Sequence, residues 1–233
     1  MTSSAKKVGR PPSDPVHRIK GITWFVAVSQ ASGMTAAELE VLFGKSKRNL
    51  QYSAGCRPGL WNKYRDGLAC PKSKRDKNGN PSIVERVENR FPGTAKWIFM
   101  PFWDVMSSAP MEMADIKNIY QSLPLELRIL LVMEPANSQK TFWRRPIDEN
   151  KLFQHLLKIH DLNAGIAILA IIKEAEITQN QRLHRKGIEC WNEYSIFLNQ
   201  HPIVGYVSKL IAEMLKKRFG NIEYAGENGF YSR

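Results

Sequence analysis

Two stretches near the start of the chain carry side chains that can read base edges. Lys45, Lys47, Arg48, Asn49 and Gln51 form one set, and Arg57, Asn62, Lys63 and Arg65 form the other. Arg and Lys can donate to guanine O6 and N7, Asn and Gln can pair the N6 and N7 edge of adenine, and further cations neutralise phosphates. Each stretch holds both types. Other chemistry is poorly supplied. His155 and His160 are five apart, so they do not share a helix face as zinc-binding pairs do, and no HExxH is present. Gly-rich phosphate loops and GxSxG are absent. Arg182, His184, Arg185 and Glu189 could compose a nuclease-like cluster, but a solvated helix face accounts for them. Cys56, Cys70 and Cys190 are odd in number with no CxxC spacing, which favours reduced, inert thiols over a disulfide framework or a zinc site. The expectation is a chain that is not an enzyme, with no metal and no cofactor.

Charge then says which partner those side chains meet. The net charge of +12 is concentrated at one end: residues 1–90 hold 17 Lys and Arg against 7 Asp and Glu, a balance of +10. Residues 91–233 hold 17 against 15, a balance of +2. A basic module beside a near-neutral one is the footprint of a polyanion-binding head with a separate body. With 43% hydrophobic and 24% charged residues, the chain is ordinary globular material, which excludes wholesale disorder. The longest apolar run, Ala164 to Ile172, is about half a membrane span. It is a buried core segment, no membrane partner is expected, and with no secretory signal the expected location is the cytoplasm.

The elements that must position the base-reading residues are helical. Residues 1–17, rich in Lys, Pro and Ser, read as a flexible basic arm. Apolar positions Ile19, Ile22, Phe25, Val26 and Val28 predict a first helix over Arg18 to Ala31, stopped by Ser32 and Gly33. Thr35 and Glu38 form a capping box for a second helix whose buried side is Leu39, Val41, Leu42 and Phe43, ending at Gly44. Two short candidates follow, KSKRNLQYSA and PGLWNKYRDG, then an exposed basic loop from Pro71 to Pro81. Ser82 and Glu85 form a second capping box ahead of Ile83, Val84 and Val87, with Pro92 and Gly93 as the stop.

Beyond these, the aromatics Trp97, Phe99, Phe102 and Trp103 read as a connector that docks the head on the body, in preference to a base-stacking surface. Helical faces then recur at Ile116 to Tyr120, Leu125 to Met133, Lys151 to Ile159, Asn163 to Ile177 and Val204 to Phe219. In the last, Val204, Val207, Leu210, Ile211, Met214, Leu215 and Tyr206 share one side. The fold class expected is all-α, a helix-turn-helix-like domain followed by a helical bundle. The boundaries expected are an arm at 1–17, the DNA-binding domain at 18–95, the aromatic connector at 96–110 and a dimerisation or partner-binding domain at 111–233.

The segment from Gly33 to Gly44 resembles the opening of the helix-turn-helix family typified by phage repressors and their Xre-like relatives. Gly33, Met34, Thr35, Leu39 and Gly44 match its Gly-apolar-Thr start, its central Leu and its turn Gly. The resemblance covers about sixty residues and implies a reading helix set into the major groove just after the turn. Glu40 departs from the pattern, which has a small residue there. Two registers remain open. In the direct one, Lys45 to Ala54 is the reading helix, with Leu50 facing the core. In the shifted one the reading helix is LWNKYRDG, and Trp61, Tyr64, Gly67 and Pro71 resemble the apolar-x-x-aromatic-x-x-Gly-x-x-x-Pro ending of related repressors. Two bulky anchors favour the second. In the arm, Gly9-Arg10-Pro11 resembles the core of an AT-hook, whose arginine enters a narrow minor groove, although a plain tail is the simpler reading.

The function expected is a regulator of transcription that reads double-stranded DNA, paired as a homodimer or with a protein partner through its later helices. The alternative is a non-enzymatic nucleic-acid-binding interaction protein of a mobile-element or phage-defence system. An enzyme whose site does not show in sequence comes third.

Overall fold

The computed structural model describes residues 14–44, 59–133, 148–220, 222–224 and 230–232. The direct-register reading helix, with Lys45, Lys47, Arg48, Asn49 and Gln51, lies outside the described residues. So do Arg57, Arg10 and Cys56.

Helix α1 (Pro15–Ser32) starts three residues before Arg18. Asp14 caps it, its carboxylate accepting the Val16 N–H at 2.9 Å, and Pro15 occupies the first helical position, where a missing N–H costs nothing. Val16 is buried, so the expected arm boundary at residue 17 falls inside a helix. Gly33 ends α1 at φ +69°, a left-handed cap suited to glycine. Helix α2 (Ala36–Phe43) carries the expected capping box between Thr35 and Glu38. Its buried side is Ala36, Leu39 and Phe43, whereas Val41 is 74% and Leu42 45% exposed, a correction to the expected face. The reason is helical geometry: 36, 39 and 43 share a stripe that 41 leaves.

Helix α3 (Leu60–Arg65) is a turn and a half long. Helix α4 (Ile83–Arg90) is capped as expected by the Ser82–Glu85 box and buries Ile83, Val84 and Val87. The aromatic connector folds into two short helices, α5 (Lys96–Phe99) and α6 (Phe102–Met106). Trp97, Phe102 and Trp103 are buried, the Trp103 indole donating to the Trp97 carbonyl at 2.9 Å, while Phe99 faces outward. Helices α7 (Met113–Ser122), α8 (Leu125–Leu131), α9 (Glu149–Lys158), α10 (Leu162–Ile177), α11 (Gln181–Gln200) and α12 (Ser208–Gly220) follow. A single 3-10 turn at Val204–Val207 leads into α12. In this last stretch Val204, Val207, Ile211 and Leu215 are buried, but Tyr206 is exposed. A short antiparallel ribbon pairs β1 (Ile222–Tyr224) with β2 (Phe230–Ser232).

The centre of the molecule is α10, buried without interruption from Ala164 to Ala175 and packed against α6, α7, α8, α9 and α11. A helix apolar on all sides needs neighbours on all sides, which is why its run is continuous instead of striped. Helix α11 comes close to it through glycine: a Cβ on Gly187 would meet the Ile172 side chain at 2.6 Å, and one on Gly165 would meet the Tyr194 ring at 2.5 Å. At the other end, α1 packs on α3 and α5 and, less extensively, on the 3-10 turn and α12. The Gln30 amide donates to the Pro202 carbonyl at 2.8 Å across that joint. The buried side chains form one core cluster from α1 to α12, and packing does not set residues 18–95 apart from those beyond 110. No helix among the described residues is long and apolar enough to cross a membrane.

Candidate nucleic-acid interface

The shifted register rests on two anchors, and both are in the core. Trp61 and Tyr64 point from α3 into the molecule at 1% and 2% exposure. Trp61 stacks on Trp24 of α1, ring centroids 5.3 Å apart and planes 19° apart, and Tyr64 meets Trp24 edge-on at 5.6 Å. Phe43 closes the cluster at 5.7 Å from Trp61. Such offset and edge contacts add to burial energy and fix the helix in rotation. Burial pushes the Tyr64 hydroxyl up to about 12.

The ends of α3 are held as firmly. Glu40 of α2 reaches across so that its Oε2 accepts the Trp61 backbone N–H at 2.9 Å. This occupies an otherwise orphaned donor of the first turn. Gly59, the residue before the helix, is pressed against that carboxylate: a Cβ there would lie 2.7 Å from Glu40 Oε2. After the helix Gly67 takes φ +68° and lies against the Arg18 side chain, and the Ala69 carbonyl packs on Gly21 of α1. Pro71 is buried. Trp61, Tyr64 and Pro71 are thus buried and Gly67 is left-handed. Gly44 has ordinary extended angles, φ −62° and ψ 145°, but a Cβ there would collide with the Glu40 carbonyl oxygen.

With Trp61 and Tyr64 inward, Asn62 and Lys63 are half-exposed and Arg65 is exposed. Arg65 is already forked onto Asp66, at 2.8 and 3.3 Å, which holds the Asp66 carboxyl below its ordinary range. The structure brings these three together on one short helix.

The acids of this segment are engaged mostly by local hydrogen bonds. Six of its seven acids accept backbone N–H groups: Asp14 from Val16, Glu38 from Thr35, Glu40 from Trp61, Asp76 from Asn78 and Asn80, Glu85 from Ser82, and Glu88 from Gly93 and Ala95. The seventh is Asp66. The backbone hydrogen bonds from Thr35 and from Ser82 hold the Glu38 and Glu85 carboxyls low. Acids used in this way balance helix N-termini and turns, and Glu85 in addition accepts from the Arg75 guanidinium at 2.9 Å. Among the described residues up to 90, only Arg65 and Arg75 lie in ion pairs. Arg18, Lys20, Lys63, Lys72, Lys74, Lys77, Arg86 and Arg90 do not.

A second constellation lies in the body, and sequence reasoning missed it. Glu176 at the end of α10 accepts both oxygens' worth of hydrogen bonds from Arg218 of α12, at 2.6 Å each. Lys173 stands 3.7 Å and His184 3.6 Å from the same carboxylate. His184 is fully buried, which corrects its assignment to a solvated face; Arg182, Arg185 and Glu189 are exposed as expected. Burial alone would raise the Glu176 carboxyl, but the His184 hydrogen bond and the charges of Arg218 and Lys173 outweigh it and hold the group low. Beside it the Tyr120 hydroxyl donates to Glu174 at 2.8 Å. The available signal was position: charges that directly continue an all-round apolar run must enter the core and find partners there. This arrangement ties α10, α11 and α12 together, and Arg218 also donates to the Val105 carbonyl of α6 at 2.9 Å.

His155 is exposed and His160 stacks on Phe197 at 3.9 Å. No group of three or more His, Cys, Asp or Glu side chains among the described residues could hold a metal ion. Burial raises both described thiols, that of Cys190 to about 12. No family model, curated protein or solved structure matches the chain.

Proposed function

We propose that this chain binds double-stranded DNA through α3 and the basic surface around it, and regulates transcription in that way. The observation that carries the reading is the seating of α3: Trp61 and Tyr64 lock it in rotation on α1, so that Asn62, Lys63 and Arg65 are held at the surface of the segment with the +10 balance. Asn62 then supplies an adenine-type edge contact, Lys63 a guanine or phosphate contact, and Lys72, Lys74, Lys77, Arg86 and Arg90 phosphate contacts. Because a turn and a half of helix reads few bases, two copies, or one copy and a protein partner joined through the helices beyond 110, act together on one site. The protein works in the cytoplasm and without a cofactor.

A second reading has its own support. Arg65 is engaged by Asp66, which leaves α3 with two unoccupied polar side chains and favours grip on the backbone over base reading. That is the interaction protein of a mobile-element or defence system, without an operator.

Fluorescence anisotropy of a labelled duplex titrated with the full chain at several salt concentrations tests the common part of both. The expected result is affinity that falls steeply and linearly in log-log form as salt rises. Absence of binding at low salt overturns both.

A further inference from the structure

We infer that the cleft between the start of α1, the end of α6 and the outer face of α12 is a binding site for an amphipathic carboxylate. The cleft measures about 430 Å³, within the range of roughly 300–1,000 Å³ in which small-molecule sites fall. Its floor is apolar, made by Ile19, Met106, Leu210 and Met214. Two methionines give that floor an adaptable surface that suits an alkyl or aryl body of variable shape.

The rim decides the charge of the occupant. Arg18 from α1 and Lys217 from α12 stand on it with no ion pair and no side-chain hydrogen bond among the described residues, so both cations are available to a ligand. Arg218 forms part of the wall but has its guanidinium committed to Glu176 and the Val105 carbonyl. Of the two acids at the cleft, Asp14 is held by one hydrogen bond at each oxygen, one accepting the Val16 N–H and the other the Ser107 hydroxyl at 2.7 Å. Glu213 is exposed, lines the same cleft and lies one helical turn before Lys217 on the same face of α12, so its charge works against an anionic occupant. An anionic head between Arg18 and Lys217, with its apolar body over Met106 and Met214, satisfies both halves of the surface. A neutral ligand of the same shape leaves the cations unused, and a cation is repelled by them.

The test is made on the full chain without nucleic acid, so its failure leaves the DNA reading untouched. Decanoate is titrated calorimetrically and also used to displace the fluorescent anion 8-anilinonaphthalene-1-sulfonate. The expected result is one saturable site, displacement of the probe by decanoate but not by decanol at the same concentration, and at least tenfold weaker binding in the double variant R18E/K217E. Both side chains are exposed, and an unchanged urea midpoint of the double variant checks that the fold is retained. The variant E213Q is expected to bind decanoate more tightly, and M214W, which fills the floor, to lose binding while its urea midpoint stays near that of the parent. No saturable binding, equal displacement by decanol, or binding that R18E/K217E leaves unchanged would overturn the assignment.

Discussion

The Oε2 atom of Glu40 accepts the backbone N–H of Trp61 at 2.9 Å, joining the middle of α2 to the first turn of α3. This carboxylate bridges the two helices. A charged acceptor on a half-buried helix N-terminus contributes about 1–2 kcal/mol. Glu40→Ala is therefore expected to lower stability by about that amount in urea denaturation, with Glu40→Gln losing roughly half as much. A Glu40→Ala midpoint equal to that of the parent would show that α3 does not depend on this bridge.

The α10–α11 contact makes a sharper prediction at Gly187. A methyl group there would sit 2.6 Å from Ile172 at the centre of the core, where little can move. Gly187→Ala is expected to cost about 1–3 kcal/mol, although alanine is the better helix former. Unchanged or increased stability would mean that the two helices have room to separate.

Lys173 gives the chain a pH signature. Burial and the Arg218 charge lower its ammonium from 10.5 to about 8, only partly offset by Glu176. Between those two values the unfolded chain binds more protons than the folded one, so stability rises with pH across that interval. From pH 7 to pH 9 the gain is roughly 1 kcal/mol, and it should be missing in Lys173→Met. The comparison of the two proteins cancels the opposite trend from Cys190, whose raised thiol favours the folded state only below its ordinary range. Parallel pH profiles in the parent and the variant would contradict the placement of Lys173.

Much of this fold was legible because its signals are local. The Thr35–Glu38 and Ser82–Glu85 boxes need only a hydroxyl and a carboxylate three residues apart, and both form as written. Trp61 and Tyr64 are large aromatics three residues apart, one helical face, and both are buried. What could not be read depends on distant contacts. Asp14 and Pro15 carry a helix-start signal, but the polar composition around them obscured it. Helix α11 buries Leu183, Gly187, Cys190, Trp191, Tyr194 and Leu198, a face of mixed small, aromatic and sulfur side chains that does not register as an apolar stripe. His184 is drawn inward by Glu176, close in sequence but on the preceding helix, and the Glu176 carboxylate is held in place by Arg218 of α12. The role of Glu40 followed the same logic, since nothing in α2 announces a partner twenty-one residues away.

For the interface itself, Lys63→Ala should weaken duplex binding at every sequence and reduce the slope of log affinity against log salt by about one. Asn62→Ala should leave that slope unchanged and act on sequence preference alone. Anisotropy titrations on matched duplexes separate the two. Identical slopes in the parent and Lys63→Ala would remove Lys63 from the contact.

Random-site selection from a pool of duplexes, performed with the full chain and with the triple variant N62A/K63A/R65A, tests the central claim most directly. Sequence-specific binding through α3 predicts that the parent enriches one common site, retained against competitor DNA, and that the folded triple variant enriches none. A pool that stays random with the parent, or the same site enriched equally by both proteins, would contradict it.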